Sequence, residues 1–184
     1  MKNLKKLTIL HSNDMHGDFL AEQIDQRLVG SGAIRSYSLG PVVHYADLVE
    51  CLPYDDAVYM LKVTGAQLER MLRHVLRDEA FQGEHTEFYQ FSHGMRIVWS
   101  RSAQTFRTLT LDGEALYADR LYTVAMQKYH YNNLKAFLNI TLEEAEENGR
   151  TRVLSTSARD VVEEYLMVNQ HLNRRVEGRL VVED

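Results

Sequence analysis

The stretch from Gly30 to Tyr54, GSGAIRSYSLGPVVHYADLVECLPY, organises the chain. Small residues open it, and Gly30, Ser31, Gly32 and Ala33 leave the backbone free to turn tightly or to approach a neighbour closely. Arg35 follows at once and supplies the cation that such a loop would present. Tyr45 to Leu52 reads as a short amphipathic helix, stopped by Pro53, which disfavours the helical conformation of the residue before it. Tyr54 emerges just past that stop. A cation and an exposed ring held by one short unit suit a flat, anionic ligand. Upstream, Leu20 to Val29, LAEQIDQRLV, reads as a short helix or linker, and the abrupt change at Gly30-Ser31-Gly32 marks a boundary.

Downstream, the pattern alternates between strand and helix signals without a repeating unit. Ala57 to Val63 has the β-branched and aromatic content of a strand. Thr64-Gly65-Ala66-Gln67 is a capping box, and the helix it opens sets Leu68, Met71, Leu72, Val75 and Leu76 on one face and Glu69, Arg70, Arg73 and Arg77 opposite. Glu79 to Glu87 is a polar loop. Phe88 to Phe91 and Met95 to Ser100 read as strands around Ser92-His93-Gly94. Arg107 to Leu111 and the residues from Ala115 flank Asp112-Gly113, a two-residue hairpin signal because both turn positions require positive φ. Leu121 to Gln127 is a further strand, leading into the aromatic segment KYHYNNLKAF, where Asn132-Asn133 suits a turn or helix start. Thr141 to Glu144 is a second capping box on an acidic helix, read as a solvated face. Ser157 caps a last helix with Val161, Val162, Tyr165, Leu166 and Val168 at helical spacing, and Arg179 to Val182 closes the chain as a strand. Strands and hairpins with long helices but no βαβ repeat define the α+β class.

With 184 residues the chain suffices for one domain with a sizeable core. Its net charge of -5 offers no general attraction for nucleic acid or acidic membranes, so a polynucleotide partner is not expected. No stretch approaches the roughly 20 apolar residues of a spanning helix, and no membrane partner is expected. Only LTIL follows the N-terminal lysines Lys2, Lys5 and Lys6, too short for the apolar region of a signal peptide. As written the chain is expected in the cytoplasm. The single cysteine, Cys51, sits among Val49, Leu52 and the helix face, and reads as a buried structural thiol.

Lys6 to His11 reads as a strand and SNDMHGD as the polar turn after it. Asp14 and His16 stand two apart, so both could face one point in an extended turn and bind a divalent ion. A plain polar turn is the competing reading. A catalytic zinc or manganese centre needs at least three protein ligands, and the remaining histidines stand singly.

These motifs together resemble the two-domain 5′-nucleotidase family, which includes 2′,3′-cyclic nucleotide phosphodiesterases. LTILHSNDMHG, Leu7 to Gly17, is similar to the opening of that family's metallophosphatase domain. From Gly30 onward, G-S-G-A-I-R, D-L-x-x-x-L-P-Y, V-T-G-A-Q-L, the Gln90 to Gly94 turn and the late Y-T-V-A strand resemble the family's C-terminal specificity domain in order and spacing. The resemblance implies a layered α/β/β/α domain over residues 30–184, with residues 1–29 a strand-bearing remnant of the metallophosphoesterase domain's start. Most of that catalytic domain, including its N-H-[ED] and G-H-x-H motifs, has no counterpart here, so an internal deletion near Gly30 is expected.

In the family the base lies between two aromatic rings. The resemblance places Arg35 in the glycine-rich loop, Tyr54 as the ring after Leu-Pro, and Tyr129 as the second ring, a nucleoside- or nucleotide-binding set. The competing reading of the residues alone is that Tyr54 and Tyr129 simply cover the edge of the core. Gly30 stands where the family has an asparagine. Asn132 to Ala136, NNLKA, replaces N-G-G-D-G, so Lys135 stands in place of an aspartate that would accept ribose hydroxyls, and an ammonium can only donate. Asp14 and His16 would begin the family's two-metal site for Mn, Zn or Co, with no stable binding expected in this chain. The expectation is a nucleotide-binding specificity domain of a phosphohydrolase without catalysis of its own. The alternatives are a non-binding remnant that self-associates through a surface exposed by the missing domain, or a weak metal-dependent phosphoesterase.

Overall fold

The computed structural model describes residues 26–36, 39, 42–82, 89–170, 172 and 176–184. In chain order the elements are β1 (Gln26–Gly30), α1 (Tyr45–Cys51), β2 (Val58–Thr64), α2 (Gly65–Val75), β3 (Tyr89–Gln90), β4 (Met95–Ser100), β5 (Thr105–Leu111), β6 (Glu114–Ala115), β7 (Leu121–Gln127), α3 (Lys128–Asn132), α4 (Leu134–Leu138), α5 (Leu142–Glu146), β8 (Arg152–Ser155), α6 (Ala158–Val168) and β9 (Leu180–Glu183). Short 3-10 turns cover Ser31–Ala33 and Asp78–Phe81. The expected strand at Lys6 to His11 and the residues Asp14 and His16 lie outside the described residues.

Two sheets and the helices packed on them make the α+β architecture. One sheet has the order β3-β1-β7-β2-β8 and the other β6-β5-β4-β9. In the first sheet β2 and β7 run antiparallel with Leu61 opposite Val124 and Val63 opposite Tyr122. Because side chains alternate along a strand, this register sends Leu61, Val63, Tyr122, Val124 and Met126 to one face and Met60 and Ala125 to the other. The first set joins α2, α4 and β4 in the main core, with Leu68, Met71, Ile97 and Trp99 fully buried. Burying each such side chain contributes about 1.5–3 kcal/mol relative to exposure.

Local chemistry sets the element ends. The Thr64 Oγ1 accepts from the Gln67 N–H at 3.2 Å, while Gln67 Oε1 accepts from the Thr64 N–H at 2.7 Å. Thr141 and Glu144 repeat the arrangement at α5. At the start of α2, Gly65 donates its N–H to the Arg120 carbonyl at 2.9 Å, and a Cβ there would strike the Tyr117 carbonyl. Asp112 and Gly113 both have positive φ, 50° and 84°, and join β5 to β6 as expected.

Three expectations differ from the structure. Leu20 to Val29 is expected as a short helix or linker, but Gln26–Gly30 is a strand parallel to β7, with Gln26 opposite Val124 and Leu28 opposite Met126. A five-residue segment takes its state from its partner, and that partner is about a hundred residues away in the chain. Along α6, Val162 is buried but Val168 is 82% exposed, because six residues at 3.6 per turn put it about 120° around the helix from Val162. The α5 segment is also tied in: Ala145 is fully buried and Glu144 pairs with Arg70 at 2.6 Å. No described helix is long and apolar enough to cross a membrane.

Candidate functional site

The parallel strands β1 and β7 end at one edge of the first sheet, and the antiparallel β2 begins there, with Val58 opposite Gln127. Three connections therefore meet at this edge: the turn after Gly30, the loop from Leu52 to Ala57, and α3. Loops beyond the carboxyl ends of parallel strands are a recurrent place for ligands.

Arg35 comes from the first connection. Its N–H donates to the Cys51 carbonyl at 2.8 Å, which ties the turn to the end of α1. Beneath it, Ile34, Leu48, Cys51, Leu52 and Val162 form a second, smaller core. The Arg35 guanidinium lies over the Tyr54 ring, 5.3 Å from its centroid, so two of the three sequence-selected residues meet directly. At an exposed site such a pair contributes about 0.5–1 kcal/mol. Cys51 is fully buried, and burial pushes its thiol up, the Ser36 backbone hydrogen bond opposing this. It is the structural thiol expected.

Tyr54 comes from the second connection and is 56% exposed. Its neighbours are not loose. Arg159 donates to the Leu52 carbonyl through Nε and Nη2 at 3.2 and 2.9 Å and to the Pro53 carbonyl through Nη2 at 3.2 Å. Asp55 Oδ1 accepts from the Ser157 hydroxyl at 2.8 Å and from the Arg159 N–H at 3.1 Å. The Asp56 carbonyl accepts from the Ala158 N–H at 2.9 Å.

Tyr129 comes from the third connection and is 53% exposed. Its N–H donates to Asp56 Oδ2 at 3.3 Å, which links it to the loop that carries Tyr54. Its ring packs edgewise on His130 at 5.4 Å and tilted on Phe137 at 5.6 Å. His130 turns inward, buried, with Nδ1 2.9 Å from the Tyr89 hydroxyl. Tyr131 stacks on Tyr59 at 4.3 Å with planes 12° apart. The short helix thus has two rings anchored and presents Tyr129 outward.

Lys135, in α4, donates from Nζ to Asn139 Oδ1 at 3.1 Å, so its ammonium is held along its own helix. Among the described residues no group of three His, Cys, Asp or Glu is placed to hold a metal ion. The arrangement offers aromatic faces and a cation, which suits binding of a flat ligand with an anionic or strongly polar part.

Sequence reasoning missed Asp55, Asp56 and Arg159. Ser157 was legible as a cap, and its hydroxyl does accept from the Asp160 N–H at 2.9 Å. Nothing in the pattern showed that the same hydroxyl donates to Asp55, a hundred residues earlier in the chain. The one available signal was two acidic residues immediately after Tyr54.

Residues 22–140 match the model of the 5′-nucleotidase C-terminal domain. The chain belongs to that family. Solved structures with the same fold include a 5′-nucleotidase precursor from Thermus thermophilus, 17% identical with TM-score 0.68, the match covering 88% of this chain and 32% of that one. The NAD nucleotidase of Haemophilus influenzae aligns at 12% identity and TM-score 0.70, covering 87% and 30%. The sulfate thiohydrolase SoxB of Thermus thermophilus, solved with glycerol, aligns at 16% identity and TM-score 0.61, covering 86% and 29%. This chain therefore spans about a third of the length of each of these structures. A search of the curated proteins found no match.

Proposed function

We propose that this chain is the nucleoside- or nucleotide-binding specificity domain of a 5′-nucleotidase-like phosphohydrolase, serving nucleotide catabolism without performing the hydrolytic step. The observation that carries the reading is the Arg35 guanidinium over the Tyr54 ring, with Tyr129 tied to the same loop through Asp56. The base would lie against the tyrosine rings, where stacking is worth about 1–3 kcal/mol per base whatever the base. Arg35 would meet the anionic or polar remainder. Lys135 cannot accept from ribose hydroxyls as the family's aspartate would, so the expected affinity is low. The family membership and the NAD nucleotidase fold support a nucleotide as the ligand class.

Hydrolysis by a two-metal centre needs more ligands than Asp14 and His16 provide. Protein purified without chelator is expected to carry substoichiometric Mn, Zn or Co, and a full equivalent would overturn the non-catalytic part of the reading. Isothermal titration with adenosine, uridine and their 5′-monophosphates tests the binding part. Saturable heat is expected, and no heat at millimolar ligand would overturn it.

Self-association is a second reading, favoured by Met167 and Val168, which stand 65% and 82% exposed at the end of α6. Light scattering at high concentration separates it from a monomeric binding domain.

A further inference from the structure

We infer that Arg159 is a positioning residue for Tyr54, acting through a reciprocal clamp between α6 and the loop from Leu52 to Asp56. This rests on reading Tyr54 as a wall of the nucleotide site.

The clamp satisfies two helix ends at once. A helix leaves its first N–H groups and its last carbonyls without partners inside the helix. At the start of α6, the Ala158 N–H is taken by the Asp56 carbonyl and the Arg159 N–H by the Asp55 carboxylate, whose negative charge suits a helix N-terminus. At the end of α1, the Leu52 carbonyl is taken by Arg159, whose cation suits a helix C-terminus. The same guanidinium reaches the Pro53 carbonyl, and its Nη1 lies 3.7 Å from Asp55 Oδ2. The Arg159 side chain is only 13% exposed, so its two bonds to the Leu52 carbonyl are partly shielded from competing water, while those to the Pro53 carbonyl and from its N–H to Asp55 lie at the surface.

The consequence falls on the one residue between the bonded ones. Leu52 and Pro53 are held on one side of Tyr54, and Asp55 and Asp56 on the other, by bonds with fixed directions. With the flanking backbone set, the Tyr54 Cα–Cβ bond has one direction, and the ring lies beneath the Arg35 guanidinium while remaining open to a ligand. Arg159 makes no contact with the Tyr54 ring in this scheme. It acts through the backbone alone.

The test uses the full chain with Arg159→Met, which keeps an apolar stem but no donors, and Arg159→Lys, which keeps the charge and a single donor group. Affinity for AMP is measured by calorimetry in the wild-type and Tyr54→Ala backgrounds. Arg159→Met is expected to weaken AMP binding about tenfold, within the range for losing one stacking ring, and Arg159→Lys by less. In the Tyr54→Ala background the further loss from Arg159→Met should fall below about twofold, because the ring it positions is gone. An equal loss in both backgrounds would overturn the inference, since a general structural role acts regardless of Tyr54.

A ligand-free measurement accompanies this: fluorine NMR of protein containing 3-fluorotyrosine, with Tyr117, which is 59% exposed before β7, as the internal reference. Arg159→Met should move the Tyr54 resonance toward that of a free side chain and leave Tyr117 in place. An unmoved Tyr54 resonance overturns the positioning role whatever the binding result. If wild-type protein binds no AMP yet the resonance moves, the positioning role stands and the nucleotide reading fails. Should Arg159→Met fail to fold, Arg159→Lys carries the same two readouts.

Discussion

Helix α2 and the loop carrying Tyr54 are held by different forces. Leu68, Met71, Leu72 and Val75 of α2 are each no more than 2% exposed, and the helix is sealed against both sheets through the main core. Pro53, Tyr54 and Asp55 are exposed, and their loop is held by hydrogen bonds to carbonyls and carboxylates. Burial energy is large but without direction. Hydrogen bonds contribute only about 0.5–1.5 kcal/mol each, yet they fix angles. The difference teaches a division of labour: α2 decides whether the chain folds, and the loop decides where one ring points.

That contrast can be broken from either side. Leu68→Ala strikes the core and should cost about 2–5 kcal/mol of stability in thermal or denaturant unfolding, while AMP affinity stays unchanged well below the melting temperature. Tyr54→Ala strikes the loop and should do the opposite. Unfolding should shift by no more than about 1 kcal/mol, the worth of the Arg35–Tyr54 pair, while AMP binding weakens by about 1–3 kcal/mol in calorimetry. If both variants lost stability and binding together, the two regions would not be separable. Thr141→Ala removes the cap of α5 and should cost about 1 kcal/mol in denaturant unfolding with binding unaffected.

The smallest effect expected is one of pH. The Thr141 backbone N–H and then the Arg70 guanidinium hold the Glu144 carboxyl below its usual range, although its side chain is about a third exposed. A group whose folded value is depressed gives its stabilisation in full above the unfolded value and loses it as pH falls through the folded one. Wild-type protein should therefore be more stable than Glu144→Gln above about pH 4.3, and the gap should close on further acidification. Melting curves of the two proteins across that range measure it. A gap that stays constant with pH would remove the charged contribution.

Much of the first region was legible in the residues. The stripe Leu68, Met71, Leu72, Val75 and Leu76 has helical period and is buried as such, and Asp112-Gly113 makes the hairpin because few residues other than glycine, aspartate or asparagine accept positive φ. Leu121–Gln127 is a strand over the span that its β-branched content marks. The candidate site was legible as far as Arg35 and Tyr54, from the small-residue loop and the proline stop, and Tyr129, through the family resemblance alone. Strand β1 was not, since the short run QRLVG has no period and becomes a strand by lying beside β7. The clamp was not legible either, because Asp55 and Arg159 are polar, lie far apart in the chain and follow no period.

By itself, then, the amino-acid sequence determined the α+β class, the caps, the hairpin and the family, all of which depend on signals within a few residues or on ordered motifs. Only the tertiary structure decided that Arg35 covers Tyr54, that Asp56 ties Tyr129 to the same loop, and that Arg159 holds the carbonyls of Leu52 and Pro53. The physical reason is range. A cap or a period is completed within one turn of chain, whereas a directed hydrogen bond between α6 and a loop a hundred residues earlier exists only once both have been packed against the same sheet.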